Sequence, residues 1–201
     1  VCAPASRAFQ KLDHALDAFG LDVTGLRCAD FGCNVGGFTD CLLRRGAECV
    51  FAVDTAYGQL AWRLRNDPRV MVQERTNALH ATPPEGGVDL VVIDLGWTAQ
   101  RHAVPAGLRW IDAAGTGSII TLIKPHYESS AAGAGVCRGG VDSAEARAIC
   151  DRVLAELPAL GVTVAGFVES PIQGAKSARR GGGNREFLAW LRRSAVAGER
   201  L

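Results

Sequence analysis

Two near-continuous apolar runs, residues 88–93 and 118–123, narrow most sharply what this chain can fold into. A strand with one wet face alternates apolar and polar side chains. A strand buried on both faces need not, and that environment arises chiefly in parallel sheets covered by helices. Shorter runs at 26–31, 49–53 and 70–73 precede the pair, and 162–168 and 186–191 follow it. Helical spacing fills the gaps. Residues 6–19 carry Phe9, Leu12, Leu16 and Phe19 three or four apart, with Gly20 as a stop. Arg7, Lys11 and His14 share another face of that helix. Residues 36–45, 59–65 and 99–114 also read as helices, the last with a break at Pro105. Asp142 with Glu145 three residues on marks a capped helix start, and the helix buries Ala146, Ile149, Cys150, Val153 and Leu157. Alternating strands and helices predict an α/β three-layer sandwich with a mostly parallel sheet. The last two strands have no helix between them and are expected to be antiparallel neighbours. The 201 residues suit one domain, with no repeat or internal linker.

Composition excludes several classes. Hydrophobic residues make up 48% and charged residues 21%, which rules out a disordered chain. The 24 glycines have no three-residue period, so a collagen-like rod is out. The longest apolar stretch, around 88–95, holds Asp89 and Asp94 and falls short of a membrane span, and the first residues lack a signal-peptide pattern. A soluble cytoplasmic protein is expected. A net charge of +1 requires any nucleic-acid contact to come from a local basic patch. Cys2, Cys28, Cys33, Cys41, Cys49, Cys137 and Cys150 form no CxxC pair, and the four histidines are scattered, so no metal site is expected. Lysine is rare beside arginine: it occurs only at 11, 124 and 176. Unlike arginine, lysine can give up its proton in a suitable environment.

The segment Asp30-Phe-Gly-Cys-Asn-Val-Gly-Gly-Phe38 joins the first strand to a helix. In doubly wound sheets, ligands bind at such turns. The spacing is neither GxGxxG nor GxxxxGK[ST], which disfavours a dinucleotide and a cradled triphosphate. Asp54 ends the next strand, where an acid can accept both hydroxyls of a ribose. A turn without a phosphate cradle plus a ribose acid suggests a nucleoside-type ligand such as S-adenosylmethionine. The plainer alternative is a tight turn at Gly36 and Gly37 with Asp54 as a cap.

Further motifs extend the pattern: Leu21-Asp-Val-Thr-Gly25, Gly36-Gly-Phe-Thr-Asp40, Ala52-Val-Asp-Thr-Ala-Tyr-Gly-Gln-Leu60, Leu64-Arg-Asn-Asp-Pro-Arg-Val70, Glu74-Arg-Thr-Asn77, Val91-Val-Ile-Asp94, Leu122-Ile-Lys-Pro125 and Asn184-Arg-Glu-Phe187. Together they resemble the FtsJ-like methyltransferases, and within them the TlyA (hemolysin A-like) group of ribosomal RNA 2′-O-methyltransferases. The resemblance runs from residue 6 to about 193. It implies a Rossmann-like class I methyltransferase fold with a seven-stranded sheet, S-adenosylmethionine as cofactor and RNA, ribosomal by analogy, as partner. It also implies a Lys-Asp-Lys-Glu tetrad, matched here by Lys11, Asp94, Lys124 and Glu186. The cofactor is expected on Gly32, Cys33, Asn34, Gly36, Gly37, Phe38, Asp54, Thr55, Asn77, Ala78 and Asp94. RNA is expected on Arg7, Trp97, Arg138, Arg179 and Arg180.

The target hydroxyl is a very weak acid that must lose its proton as it attacks a sulfonium methyl. A lysine serves as base where a neighbouring cation disfavours its charged form, and the resemblance gives Lys11 that part for Lys124. Asp94 and Glu186 would hold the amines. Two ordinary surface lysine–carboxylate pairs are the competing account, worth about 0–1 kcal/mol each. The chain departs from the family at Ala8 and Phe9, where relatives have glycines, at Leu95-Gly-Trp-Thr98, and in a longer loop before Asn184. Relatives carry a small basic RNA-binding domain before this one, so such a domain or a separate partner outside this chain is expected. The same motifs also suit a non-catalytic RNA- or cofactor-binding protein, or a small-molecule O-methyltransferase.

Overall fold

The computed structural model describes residues 3–112, 116–131, 141–174 and 183–194. Seven strands form one sheet: β1 (Arg27–Phe31), β2 (Cys49–Val53), β3 (Val70–Gln73), β4 (Leu90–Ile93), β5 (Ser118–Ile123), β6 (Val162–Glu169) and β7 (Phe187–Arg193). Their order is β3-β2-β1-β4-β5-β7-β6. The first five pair in parallel with one another, and β7 is antiparallel to both β5 and β6. This matches the expected three-layer α/β plan, including the antiparallel end of the sheet.

Among the described residues six α-helices complete the layers: α1 (Ala8–Phe19), α2 (Gly37–Arg44), α3 (Trp62–Arg65), α4 (Gln100–Leu108), α5 (Pro125–Ala131) and α6 (Ser143–Glu156). Side-chain alternation along the buried strands splits the core in two. One half packs Ala29, Phe31, Val91, Ile93 and Ile119 against α4 and α6. The other packs Cys28, Val50, Val92, Ile120 and Leu122 against α1, α2 and α3. Trp110, fully buried, meets Phe31 edge-on at 5.1 Å. Burial of each large apolar side chain contributes about 1.5–3 kcal/mol.

Several boundaries differ from the sequence expectation for identifiable reasons. Val88 leaves β4 because it pairs with the chain after α4: its N–H donates to the Trp110 carbonyl, and its carbonyl accepts from Asp112. That capture ends α4 at Leu108 rather than 114, while Pro105 sits inside the helix without breaking it. Helix α3 starts at Trp62 rather than 59, because the Ala61 N–H is drawn to the Val35 carbonyl at 3.1 Å. Helix α5 lacked an apolar stripe to announce it; its signal was Pro125 at the first helical position. Asp142 caps α6 by accepting from the Glu145 N–H at 2.8 Å.

Helix α1 is strapped to α2 at both ends. Buried Asp40 accepts from the Ala5 N–H, Arg44 and Arg63, and both arginines also donate to the Ala3 carbonyl. Arg45 binds Asp13 and Asp17 farther along. Between these straps α1 lies directly on Gly37, where an added Cβ would meet the Ala8 Cβ at 2.7 Å and the Phe9 backbone nitrogen at 3.0 Å. Gly37→Ala should therefore push α1 off α2 and cost about 1–3 kcal/mol in chemical denaturation. A midpoint equal to wild type would show that this contact is looser than drawn.

Candidate active site

Sheet register gathers the candidate residues. Phe31 pairs with both Val53 and Ile93, so Gly32, Asp54 and Asp94 follow three neighbouring strand ends. Ile123 pairs with Phe187 across an antiparallel ladder, so Lys124 and Glu186 flank the same edge. The strand order reverses between β1 and β4, the point where open α/β sheets take their ligands.

Two ion pairs lie along this edge. Lys11 Nζ reaches Glu186 Oε2 at 2.5 Å, and both residues are buried. The helix face assigned to Arg7, Lys11 and His14 is thus divided: Arg7 is exposed, whereas Lys11 turns into the sheet edge. Lys124 Nζ meets Asp94 Oδ1 at 2.5 Å and donates to the Leu95 carbonyl at 3.2 Å. Each of the two amines thus lies against a carboxylate, Lys11 against Glu186 and Lys124 against Asp94. Both pairs are too enclosed for the surface-pair account: the four side chains are 4–18% exposed. Desolvated pairs of this kind are costly to break, because removing one partner strands the other.

The glycine turn lies beside these pairs. Gly32 adopts a left-handed φ of 87°, and a Cβ there would sit 2.5 Å from the Asp94 carbonyl oxygen, so the turn requires glycine. Asp54, half-buried, accepts from the Asn34 N–H and the Ala56 N–H, each at 2.8 Å. Its carboxylate thereby ties the turn after β1 to the loop after β2. Thr55 is exposed beside it, and Asn77 accepts from the Leu79 N–H at 3.0 Å. Cys33 is buried, and burial raises its thiol above the ordinary range. Phe38 and Ala78 are core residues, one in each half of the core. A carboxylate beside a glycine-bordered turn at the switch point fits an adenosyl group.

Trp97 is 79% exposed with a φ of 60°, and its ring lies 4.6 Å from that of Tyr127. The two line a hollow of about 320 Å³ with Leu79, Thr98 and His102. Arg138, Arg179 and Arg180 lie outside the described residues. Sequence reasoning passed over Tyr127, His126, Gln100 and Glu128. The first two follow Lys124 on α5, where the Pro125 signal could have placed them. Burial, then the Lys124 charge, lowers His126 to about 4, so it is neutral at pH 7. Among the described residues, no helix is long and apolar enough to cross a membrane.

The chain is similar to known proteins in sequence and in fold. The chain matches the FtsJ-like methyltransferase family over residues 4–193. It is 43% identical over 194 residues to the 16S/23S rRNA (cytidine-2′-O)-methyltransferase TlyA of Mycobacterium tuberculosis, covering 93% of this chain and 68% of that one. A solved structure named as a candidate hemolysin from Streptococcus thermophilus is 34% identical, with a TM-score of 0.83 over 96% of this chain and 68% of that one. The N-methyltransferase NodS from Bradyrhizobium japonicum, solved with S-adenosyl-L-homocysteine, shares the fold at a TM-score of 0.61 and 14% identity, over 94% and 89% of the two chains.

Asp30 lies under the glycine turn, fully buried. Burial raises its carboxyl to about 7; two hydrogen bonds from Thr39 oppose the rise, and Asp94 and Asp54 add to it. The folded value stands above the unfolded 3.8, so the folded state holds the proton more tightly. The stability this proton confers is complete below about pH 4 and is lost as pH rises through 7. Asp30→Asn keeps an acceptor for Thr39 and removes the titration. Its stability relative to wild type should rise between pH 4 and 8, by at most roughly 4 kcal/mol. Parallel wild-type and mutant curves of urea midpoint against pH would refute this.

Proposed function

The chain belongs to the FtsJ-like methyltransferase family, and from that premise we propose that it methylates a ribose 2′-hydroxyl of RNA, with ribosomal RNA as the substrate class. The observation that carries this reading is the enclosed Lys124–Asp94 pair at the sheet edge beside the glycine turn. S-adenosylmethionine, when bound, supplies a methyl group on a sulfonium centre. Gly32, Asn34, Gly36 and Asp54 would hold it, with Asp54 toward its ribose.

In this reading Lys124 first loses a proton to solvent, the neutral amine then takes the proton that the hydroxyl gives up as the oxygen attacks the methyl, and Asp94 holds the ammonium that results. General-base help of this kind is worth about 10²–10⁴ in rate. Lys11 and Glu186 form a second, mutually neutralised pair that fixes the opposite wall of the site. The enclosure keeps both pairs away from bulk water, where their mutual attraction would be weak. Holding the hydroxyl in line with the methyl supplies much of the remaining acceleration.

The exposed Trp97 face, backed by Tyr127, is a stacking platform for an unpaired base. Arg7, Arg138, Arg179 and Arg180 are the phosphate contacts of this reading, which place the RNA without reading its sequence. The chain spans about two thirds of the length of the M. tuberculosis relative.

Lys124→Ala should lower single-turnover methyl transfer by at least about 10²-fold while calorimetric affinity for S-adenosylmethionine stays within a few fold of wild type. Undiminished transfer would remove Lys124 from the chemistry. Trp97→Ala should weaken RNA binding by about 1–3 kcal/mol in filter binding, the range for one base–aromatic stack, with cofactor affinity unchanged. Unaltered RNA affinity would assign the exposed ring no part in recognition.

A further inference from the structure

The segment that runs from Asp94 to Gln100 carries both a paired acid and the exposed Trp97, yet little within it holds its shape. Gly96 and Trp97 are exposed, and Trp97 takes a left-handed backbone that a large side chain rarely adopts. The side-chain hydrogen bond found within the segment is from Thr98 Oγ1 to the Gly96 carbonyl, at 3.1 Å. Its shape is instead imposed from its two ends by the chain of residues 121–128.

At the first end, Lys124 binds both Asp94 and the Leu95 carbonyl. At the far end, Gln100 begins α4 and is 4% exposed. Its side-chain Nε2 donates to the Leu122 carbonyl at 3.2 Å, and its Oε1 accepts from Thr121 Oγ1 at 2.6 Å. Its backbone N–H donates to Glu128 Oε1 at 3.0 Å. Glu128 and Thr121 are themselves buried. The Gln100 side chain therefore takes up β5 just past the point where β4, ending opposite Thr121, stops pairing with it. A polar cluster of this kind in a core must be fully satisfied to be tolerated, and once satisfied it specifies one geometry.

We infer that Gln100 is a positioning residue. Through Thr121, Leu122 and Glu128 it fixes where the 94–99 segment crosses the start of α5, and so sets how Asp94 meets Lys124 and how Trp97 meets Tyr127. The inference rests on the reading that Lys124 and Asp94 serve methyl transfer. The clamp itself is a mechanical statement with its own readout.

The test compares Gln100→Leu, which removes both side-chain bonds at similar volume, and Thr121→Val, which removes one, in the full chain. Amide hydrogen exchange is followed alongside steady-state transfer to ribosomal RNA. Gln100→Leu should lower kcat about 10- to 100-fold, the size of effect that a small misplacement of reacting groups produces. The KM for S-adenosylmethionine should stay within about twofold. Exchange at the amides of Gln100, His102 and Ala103, which are bonded to Glu128 and to the Ala99 carbonyl, should quicken at least about tenfold while β4 and β5 keep their protection. Thr121→Val should shift the same quantities in the same direction by less, and it decides the matter if Gln100→Leu does not fold. Unchanged kcat and unchanged exchange at Gln100, His102 and Ala103 would overturn the clamp. So would faster exchange throughout the sheet, because Gln100 would then support stability in general. A wild-type protein that transfers no methyl group would refute the functional reading instead, leaving the exchange data to judge the clamp.

Discussion

Backbone pairing between strands sets the positions of the groups at the sheet edge. Gly32, Asp54, Asp94 and Lys124 each follow the last residue of a parallel strand, and Glu186 precedes the first residue of the antiparallel β7. Parallel strands all end on the same side of a sheet. An antiparallel strand begins where its neighbours end. The β5–β7 ladder, with Ile123 opposite Phe187, is what allows a glutamate late in the chain to meet a lysine on its first helix. A slip of one residue in that ladder would turn the β7 side chains onto the opposite face and carry Glu186 away from Lys11. The apolar character of β4, β5 and β7 thus fixes the site's geometry as well as the core.

Upon that frame the site gathers charge in an enclosed place. Two lysine–carboxylate pairs, a fully buried Asp30 and the half-buried Asp54 sit within one sheet edge. Each charged group in such a setting must be matched or neutral. The lysines are matched by carboxylates, Asp54 by backbone N–H groups, and Asp30 by a pKa near 7 together with Thr39. Asp30 Oδ1 has no hydrogen-bond partner among the described residues. The local cost of assembling these groups is offset by the apolar core on both faces of the sheet.

Much of this was legible in the chain itself. The apolar runs and their order gave the layers, and the absence of a helix between the last two segments gave the antiparallel pair. The rarity of lysine pointed to Lys11 and Lys124, and family motifs supplied Asp94 and Glu186. What stayed hidden depends on side chains meeting across long sequence separations. Nothing near Gln100 announces that it will bridge Leu122, Thr121 and Glu128. That Lys11 turns inward while Arg7 of the same helix face stays exposed is seen only once α1 lies against Gly37. The capture of Val88 by Trp110 and Asp112 is likewise a tertiary event that overrides a local strand preference. The short α5, with no apolar stripe, carried only its proline, and so the Tyr127 backing of Trp97 was missed.

The central claim is that this edge carries methyl transfer to a ribose oxygen of RNA, and one measurement addresses it directly. Purified protein is incubated with tritiated S-adenosylmethionine and either ribosomal subunits or an RNA-free extract, and labelled RNA is digested with alkali. A methylated 2′-oxygen cannot attack the adjacent phosphate, so its dinucleotide survives. The account predicts label in an alkali-resistant dinucleotide from the ribosomal samples. Label released as mononucleotides would place the methyl on a base, and label confined to the RNA-free fraction would place it on another class of substrate; either would contradict the account.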